Sequence, residues 1–232
     1  MDFEDRHVVV TGGTGALGTA VISALIEAGA VCHVPYRSED EAQRFPHRGH
    51  RQVSLVALGN LADEVAVNAF YGNLTTLWAS IHIAGGFAFA SIEKSDKSVL
   101  MGQIETNLGS AYICSRAAVG ALRQSGGGRI VNVVSRHALE PRQGANMTAY
   151  VATKSAVAGL TQALAEEVVK DGILVNAVAP SIMDTPANRK SMPKADFAAW
   201  PKVEQVAATI LFLASPDNVV TRGAIVPVYG KS

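Results

Sequence analysis

Short runs of β-branched and other apolar residues alternate along this chain with longer stretches in which apolar residues recur every three or four positions. The first pattern reads as buried strand and the second as amphipathic helix. His7–Val10 predicts a strand leading straight into a Gly-rich stretch, Thr11–Gly18. Thr19–Ala28 carries Val21, Leu25 and Ala28 at helical spacing, with Gly29 as its C-terminal cap. Strands are expected at Val31–Tyr36, around Gln52–Leu58 with a polar helix-like segment before it, and at Leu77–Ile83, which runs into Ala84-Gly85-Gly86. A helix over Val99–Gln124 ends at Gly126-Gly127-Gly128, and strand Arg129–Val134 follows. Thr148–Lys170 is the clearest helix, with Val157, Leu160, Leu164 and Val168 on one stripe. Gly172 stops it before strand Ile173–Val178; a loop with Pro180, Pro186 and Pro193 then precedes helix Val203–Ser215 and a last strand near Ala224–Val228.

Strands alternating with helices call for parallel pairing through right-handed crossovers, hence a sheet covered on both faces. The expectation is a doubly wound α/β fold of about seven strands, as one domain over residues 1–232. Lys plus Arg number 20 and Asp plus Glu number 20, so no global field recruits nucleic acid or anionic lipid. The two cysteines, Cys32 and Cys114, sit in apolar stretches without metal-ligand spacing and read as buried free thiols. The acidic start lacks the order of a signal peptide, and no apolar run approaches the ~20 residues that cross a bilayer. A cytoplasmic location is the expectation.

Thr11-Gly12-Gly13-Thr14-Gly15-Ala16-Leu17-Gly18 lies between a strand and a helix. Glycines there permit a tight turn and close approach of backbone amides to a pyrophosphate, which the positive helix end favours. An acid at the end of the second strand would hold a ribose 2′-hydroxyl and repel a 2′-phosphate. The residues present are Tyr36-Arg37-Ser38. Arg37 can pair with a phosphate and Ser38 can hydrogen-bond to it, which favours NADP(H) while leaving NAD(H) possible.

Tyr150 and Lys154 stand four apart near the start of the strongest helix, on one face. A phenol with a pKa near ~10 is a poor base at neutral pH, and a neighbouring ammonium favours its ionised form. Ser135 ends a strand, so its hydroxyl projects beyond the carboxyl edge of the sheet, where ligands bind in such folds.

With these residues in this order, the sequence resembles the short-chain dehydrogenase/reductase family over essentially its whole length. The resemblance rests on the Thr-Gly-x-x-Gly-x-x-Gly turn, Ala84-Gly85, Asn107-Leu108, Ser135, Tyr150/Lys154, and Asn176-Ala177-Val178-Ala179-Pro180. It implies a Rossmann-type sheet and an enzyme that interconverts a carbonyl and a secondary alcohol with a nicotinamide cofactor. Tyr150 would be the general acid and base, and Lys154 would hold the nicotinamide ribose and depress the Tyr150 pKa. Ser135 would orient the substrate carbonyl, and Asn107 would position a water in a proton relay. The implied cofactor-binding set is Gly12, Thr14, Gly15, Leu17, Gly18, Arg37, Ser38, Asn60, Leu61, Ala84, Gly85, Tyr150 and Lys154, joined by Pro180, Ile182 and Thr185 near the carboxamide. A homodimer or homotetramer is implied too, built on the helices at Val99–Gln124 and Thr148–Lys170.

The sequence departs from the family pattern in places: Ala16 replaces a glycine, Asn60 stands where an aspartate often contacts adenine, His82-Ile83 replaces an Asn-Asn pair, and Ser181 follows Pro180. His82 reads as a strand residue with a satisfied hydrogen bond, and His47 and His50 as solvated loop rather than metal ligands. Arg136 or His137 is expected to bind a polar or anionic group of the substrate, and Phe87, Phe89 and Met147 are candidates for an apolar part of the same pocket. The segment 181–201 is the expected substrate loop. The competing reading, a cofactor-binding regulator without turnover, gains when a catalytic residue is missing, and none is.

Overall fold

The computed structural model describes residues 1–232. Seven strands form one parallel sheet in the order β3-β2-β1-β4-β5-β6-β7. They are β1 (His7–Thr11), β2 (Val31–Tyr36), β3 (Val53–Ala57), β4 (Ala79–His82), β5 (Gly128–Val133), β6 (Ile173–Pro180) and β7 (Ile225–Val228). The helices are α1 (Ala16–Glu27), α2 (Glu39–Arg44), α3 (Glu64–Gly72), α4 (Lys97–Gln103), α5 (Ser110–Gln124), α6 (Arg136–Leu139), α7 (Thr148–Glu167), α8 (Pro186–Ser191) and α9 (Val203–Ala214).

The period-two alternation of strand side chains divides the core. Val8 and Val10 of β1 pack with Leu17, Val21 and Leu25 of α1 and Val206 and Ile210 of α9 on one face. Val9, between them, packs with Phe70 of α3, Cys114 and Leu122 of α5 and Ala165 of α7 on the other. The central strands β1, β4, β5 and β6 are thus covered on both sides, which is why their sequences are rich in apolar residues, while the edge strands β3 and β7 expose Ser54, Ala57 and Pro227. Cys32 and Cys114 are buried and unpaired.

Two expectations need correction. The helix expected over Val99–Gln124 begins at Lys97 and is interrupted by a π-helical turn, Ile104–Gly109, between α4 and α5. In α7 the buried stripe is rotated by about one residue: Val157, Ala158, Thr161 and Ala165 face inward, while Leu160 and Leu164 flank the contact half-buried. Small residues let α7 approach the sheet closely, and the larger leucines are displaced to the edges of that contact. Gly172, expected to stop the helix, adopts φ 70° after a 3₁₀ turn over Val169–Asp171.

The sheet order reverses between β1 and β4. At such a switch point the connections leave towards opposite faces, and a crevice opens beyond the carboxyl ends of the strands.

Candidate active site

Three glycines of the turn after β1 are demanded by the protein's own packing. Gly12 has φ +68°, and a Cβ on it would lie 2.7 Å from the Ala84 nitrogen. A Cβ on Gly13 would meet Ile22 and Val34 at 2.7 Å, and one on Gly18 would lie 2.2 Å from the Gly12 carbonyl oxygen. Gly15 is different, since the nearest protein atom to a Cβ there is 3.4 Å away. It precedes α1, whose N-terminus has no side-chain cap and no acid in its first turn. These unspent amides and the helix dipole face a crevice of about 360 Å³ lined by Gly12, Thr14, Gly15, Leu17 and Gly18. An uncapped positive helix end beside a glycine that packing does not require fits a pyrophosphate.

Asn60, Leu61, Ala84 and Gly85 line the same crevice. So does Arg37, whose exposed guanidinium pairs with Glu41 at 3.2 Å. Ser38 does not line it. Its hydroxyl accepts the Glu41 N–H at 3.4 Å and so caps α2, which leaves its own O–H free to donate. Glu41 lines the crevice and was missed from sequence, although its position four residues beyond Arg37 was the available signal. Glu105 and Thr106 of the π-helical turn, with Ser110, form part of the far wall, and nothing in the sequence pattern marked them.

Further along the sheet edge, Ser135 follows β5 and its buried hydroxyl has no hydrogen-bond partner in the protein. An unpaired buried hydroxyl is costly and is a mark of a group held ready for a ligand. Tyr150 and Lys154 lie in the first two turns of α7. Burial pushes the Tyr150 phenol above its usual range, and the Ser135 hydroxyl, close to the phenol but not in hydrogen-bond geometry with it, offsets this only in part. Burial lowers the Lys154 ammonium to about 8; it donates to the Val133 carbonyl at 2.8 Å. The expected depression of Tyr150 by Lys154 is therefore not what governs the phenol here, because desolvation dominates; Lys154 commits one of its three N–H groups to the strand.

Asn107 sits in the π-helical turn and clamps the loop after β4. Its Oδ1 accepts the Gly86 N–H at 2.9 Å, and its Nδ2 faces the Gly86 carbonyl at 3.0 Å, Gln103 at 3.1 Å and Thr153 at 3.2 Å. A Cβ on Gly85 would fall 2.8 Å from Asn107 Oδ1 and 3.1 Å from Lys154 Nζ, so Gly85, Asn107 and Lys154 converge on one point. His82 has its satisfied bonds, with Ser80 at 2.8 Å and Asn132 at 2.9 Å.

Around the mouth, Phe87 meets the Tyr150 ring edge-on at 5.1 Å, and the His137 ring lies 6.5 Å away. Arg136 is not available to a substrate anion. It donates to Glu140 at 2.9 Å and to the Ser232 carbonyl at 2.9 Å, and lies over the Tyr229 ring. Pro180 ends β6, Ile182 is half-exposed, and the buried Thr185 caps α8 by accepting the Asn188 N–H at 3.2 Å. Pro180, Ile182 and Thr185 lie outside the glycine-lined crevice, on the segment that leaves β6.

A doubly wound parallel sheet with a glycine cradle at its switch point and a Ser, Tyr and Lys set beyond its carboxyl edge defines the dinucleotide-binding α/β class. Within that class the chain belongs to the short-chain dehydrogenase family, whose sequence model, described as short chain dehydrogenase, matches residues 6–196. It is 32% identical to galactitol 2-dehydrogenase of Rhizobium johnstonii over 97% of this chain and 94% of that protein. It superposes on a solved structure of ElxO with NADP bound at a TM-score of 0.88 and 25% identity, covering 97% of this chain and 98% of that one. The 3-ketoacyl-(acyl-carrier-protein) reductase of Brucella melitensis, solved with NADH, superposes at 0.84 with 24% identity, covering 98% of each chain.

Proposed function

We propose that the chain is a one-domain, nicotinamide-dependent oxidoreductase that interconverts a carbonyl and a secondary alcohol. The observation that carries this reading is the buried, unpartnered Ser135 hydroxyl beside the Tyr150 phenol at the carboxyl edge of the sheet. Ser135 donates to the substrate oxygen and stabilises negative charge developing there. Tyr150 gives that oxygen its proton in reduction and removes it in oxidation. Lys154 holds the nicotinamide ribose, and Asn107 keeps the Gly86 loop in place and positions a water for the proton relay. The cofactor supplies or accepts the hydride.

The uncapped first-turn amides of α1, Leu17 among them, with the backbone of Gly12, Thr14, Gly15 and Gly18, would hold the pyrophosphate; Asn60 and Leu61 would hold the adenine. Ala84, Gly85, Tyr150 and Lys154 would hold the ribose, and Pro180, Ile182 and Thr185 the carboxamide. Arg37 supports NADP(H) as the preferred cofactor, and NAD(H) remains within reach. Two buried unpaired thiols support a cytoplasmic location. The exposed Leu100, Met101 and Tyr112 on α4 and α5 support a homodimer or homotetramer, which light scattering tests directly.

Burial holds the Tyr150 proton on at neutral pH, which suits reduction and makes oxidation rise towards alkaline pH. The deciding experiment follows nicotinamide absorbance with a panel of ketones and secondary alcohols, using the wild-type chain and Tyr150→Phe. Turnover that vanishes in the variant supports the proposal. Tight cofactor binding with no turnover across the panel would install the non-catalytic reading instead.

A further inference from the structure

The end of β2 carries no acid, yet an acid reaches the same end of the crevice from the next element. Glu41 lies in the first turn of α2 and lines the crevice beside Tyr36 and Arg37. Its carboxylate is gripped twice by Arg37. The Arg37 backbone N–H donates to Oε2 at 3.1 Å, and the guanidinium lies 3.2 Å from Oε1. The carboxylate is 26% exposed and the guanidinium 78%, so the acid is the better-seated member of the pair. Two more carboxylates share that turn, Glu39, which accepts the Tyr36 hydroxyl at 2.8 Å, and Asp40.

Resting on the dinucleotide reading of this crevice, we propose that Glu41 sets the discrimination between NAD(H) and NADP(H). A ribose 2′-hydroxyl can donate to the Glu41 carboxylate with the Arg37 pair intact. A 2′-phosphate brings like charge to that carboxylate and gains Arg37 only by drawing it away from Glu41. The advantage that Arg37 confers on NADP(H) is thus held in check by its own neighbour. The device is local: α2 starts where it does because Ser38 caps it, and that start brings Glu41 one turn back onto Arg37.

The test is equilibrium titration of the wild-type chain, Glu41→Gln and Glu41→Lys with NADPH and with NADH, followed by nicotinamide fluorescence. Glu41→Gln should tighten NADPH about fivefold without tightening NADH, and Glu41→Lys should move the ratio further the same way. Both gains should shrink as salt is raised, because an exposed charge interaction is screened. Wild-type binding with a ratio that neither variant moves by more than about twofold overturns this inference alone. Binding of neither dinucleotide by the wild-type chain overturns the site reading and the inference with it.

Discussion

The Lys154 ammonium donates to the Val133 carbonyl at 2.8 Å, so the helix carrying Tyr150 is pinned to the strand that leads into Ser135. The two candidate catalytic hydroxyls, of Ser135 and Tyr150, stand on different elements, and this bond fixes one element against the other.

That bond has a cost that can be measured. Burial lowers the Lys154 pKa from 10.5 to about 8. The folded state therefore binds fewer protons than the unfolded chain between those values, and stability rises with pH across that window. Below about pH 8 the buried ammonium costs on the order of 3 kcal/mol. Lys154→Met removes that cost but leaves the Val133 carbonyl unpaired, a loss of about 1 kcal/mol. The variant should melt about 4 °C higher at pH 7 while losing activity. A melting temperature that falls would show that Lys154 is a net structural stabiliser.

His82 works in the opposite pH range. It is fully buried with its pKa lowered from 6.5 to about 4 by desolvation. Its contribution is complete above pH 6.5 and is lost as pH falls towards 4, because the unfolded chain takes up the proton first. Between pH 7 and pH 5 this should remove about 2 kcal/mol of unfolding free energy. In His82→Gln that part of the loss should disappear, as read by urea unfolding at both pH values. His33, lowered to about 4 by burial and the nearby His7, titrates in the same window and sets the residual slope. Identical slopes in the two proteins would remove His82 from the account.

Much of the scaffold was legible because the central strands are buried on both faces and so are rich in apolar residues; β2 runs over Val31–Tyr36, as its mostly apolar sequence indicated. The π-helical turn at Ile104–Gly109 was not legible. Its extra residue is accommodated where Asn107 is held by Gly86 and Thr153, contacts that no periodicity within Val99–Gln124 encodes. Tyr150, Lys154 and Ser135 were visible as residue types at a spacing, but the partners of the charged groups were not. Arg136 is consumed by Glu140, Tyr229 and Ser232, and two of those three lie at the other end of the chain. The capping role of Ser38 was not legible, because the start of α2 falls in a polar segment without apolar rhythm.

Ser135 should separate stability from activity. Its hydroxyl is buried without a partner, so Ser135→Ala removes an unsatisfied group and should leave the unfolding free energy unchanged or slightly higher. Catalytic turnover should fall about 100-fold, the usual scale for losing one donor to a developing oxyanion, with cofactor binding unaltered. A variant that loses stability but keeps its kcat would mean that Ser135 serves the strand end rather than the substrate.

The glycine turn offers the sharpest contrast between a packing role and a ligand role. A Cβ at Gly18 would lie 2.2 Å from the Gly12 carbonyl oxygen, a backbone atom that cannot step aside. Gly18→Ala should therefore destabilise the fold by about 3 kcal/mol or more and yield little native protein. Gly15 has φ −79° in the extended region, and its closest Cβ neighbour is 3.4 Å away, so Gly15→Ala should fold and melt within about 2 °C of the wild-type chain. What it adds is a methyl group in the crevice beside the uncapped end of α1, where a pyrophosphate must approach the backbone closely. NADPH and NADH affinity should both drop about tenfold or more, with their ratio unchanged because Gly15 is remote from Arg37 and Glu41 in function. Full affinity in Gly15→Ala would place the pyrophosphate elsewhere in the crevice, and a shifted ratio would couple the turn to the 2′ end.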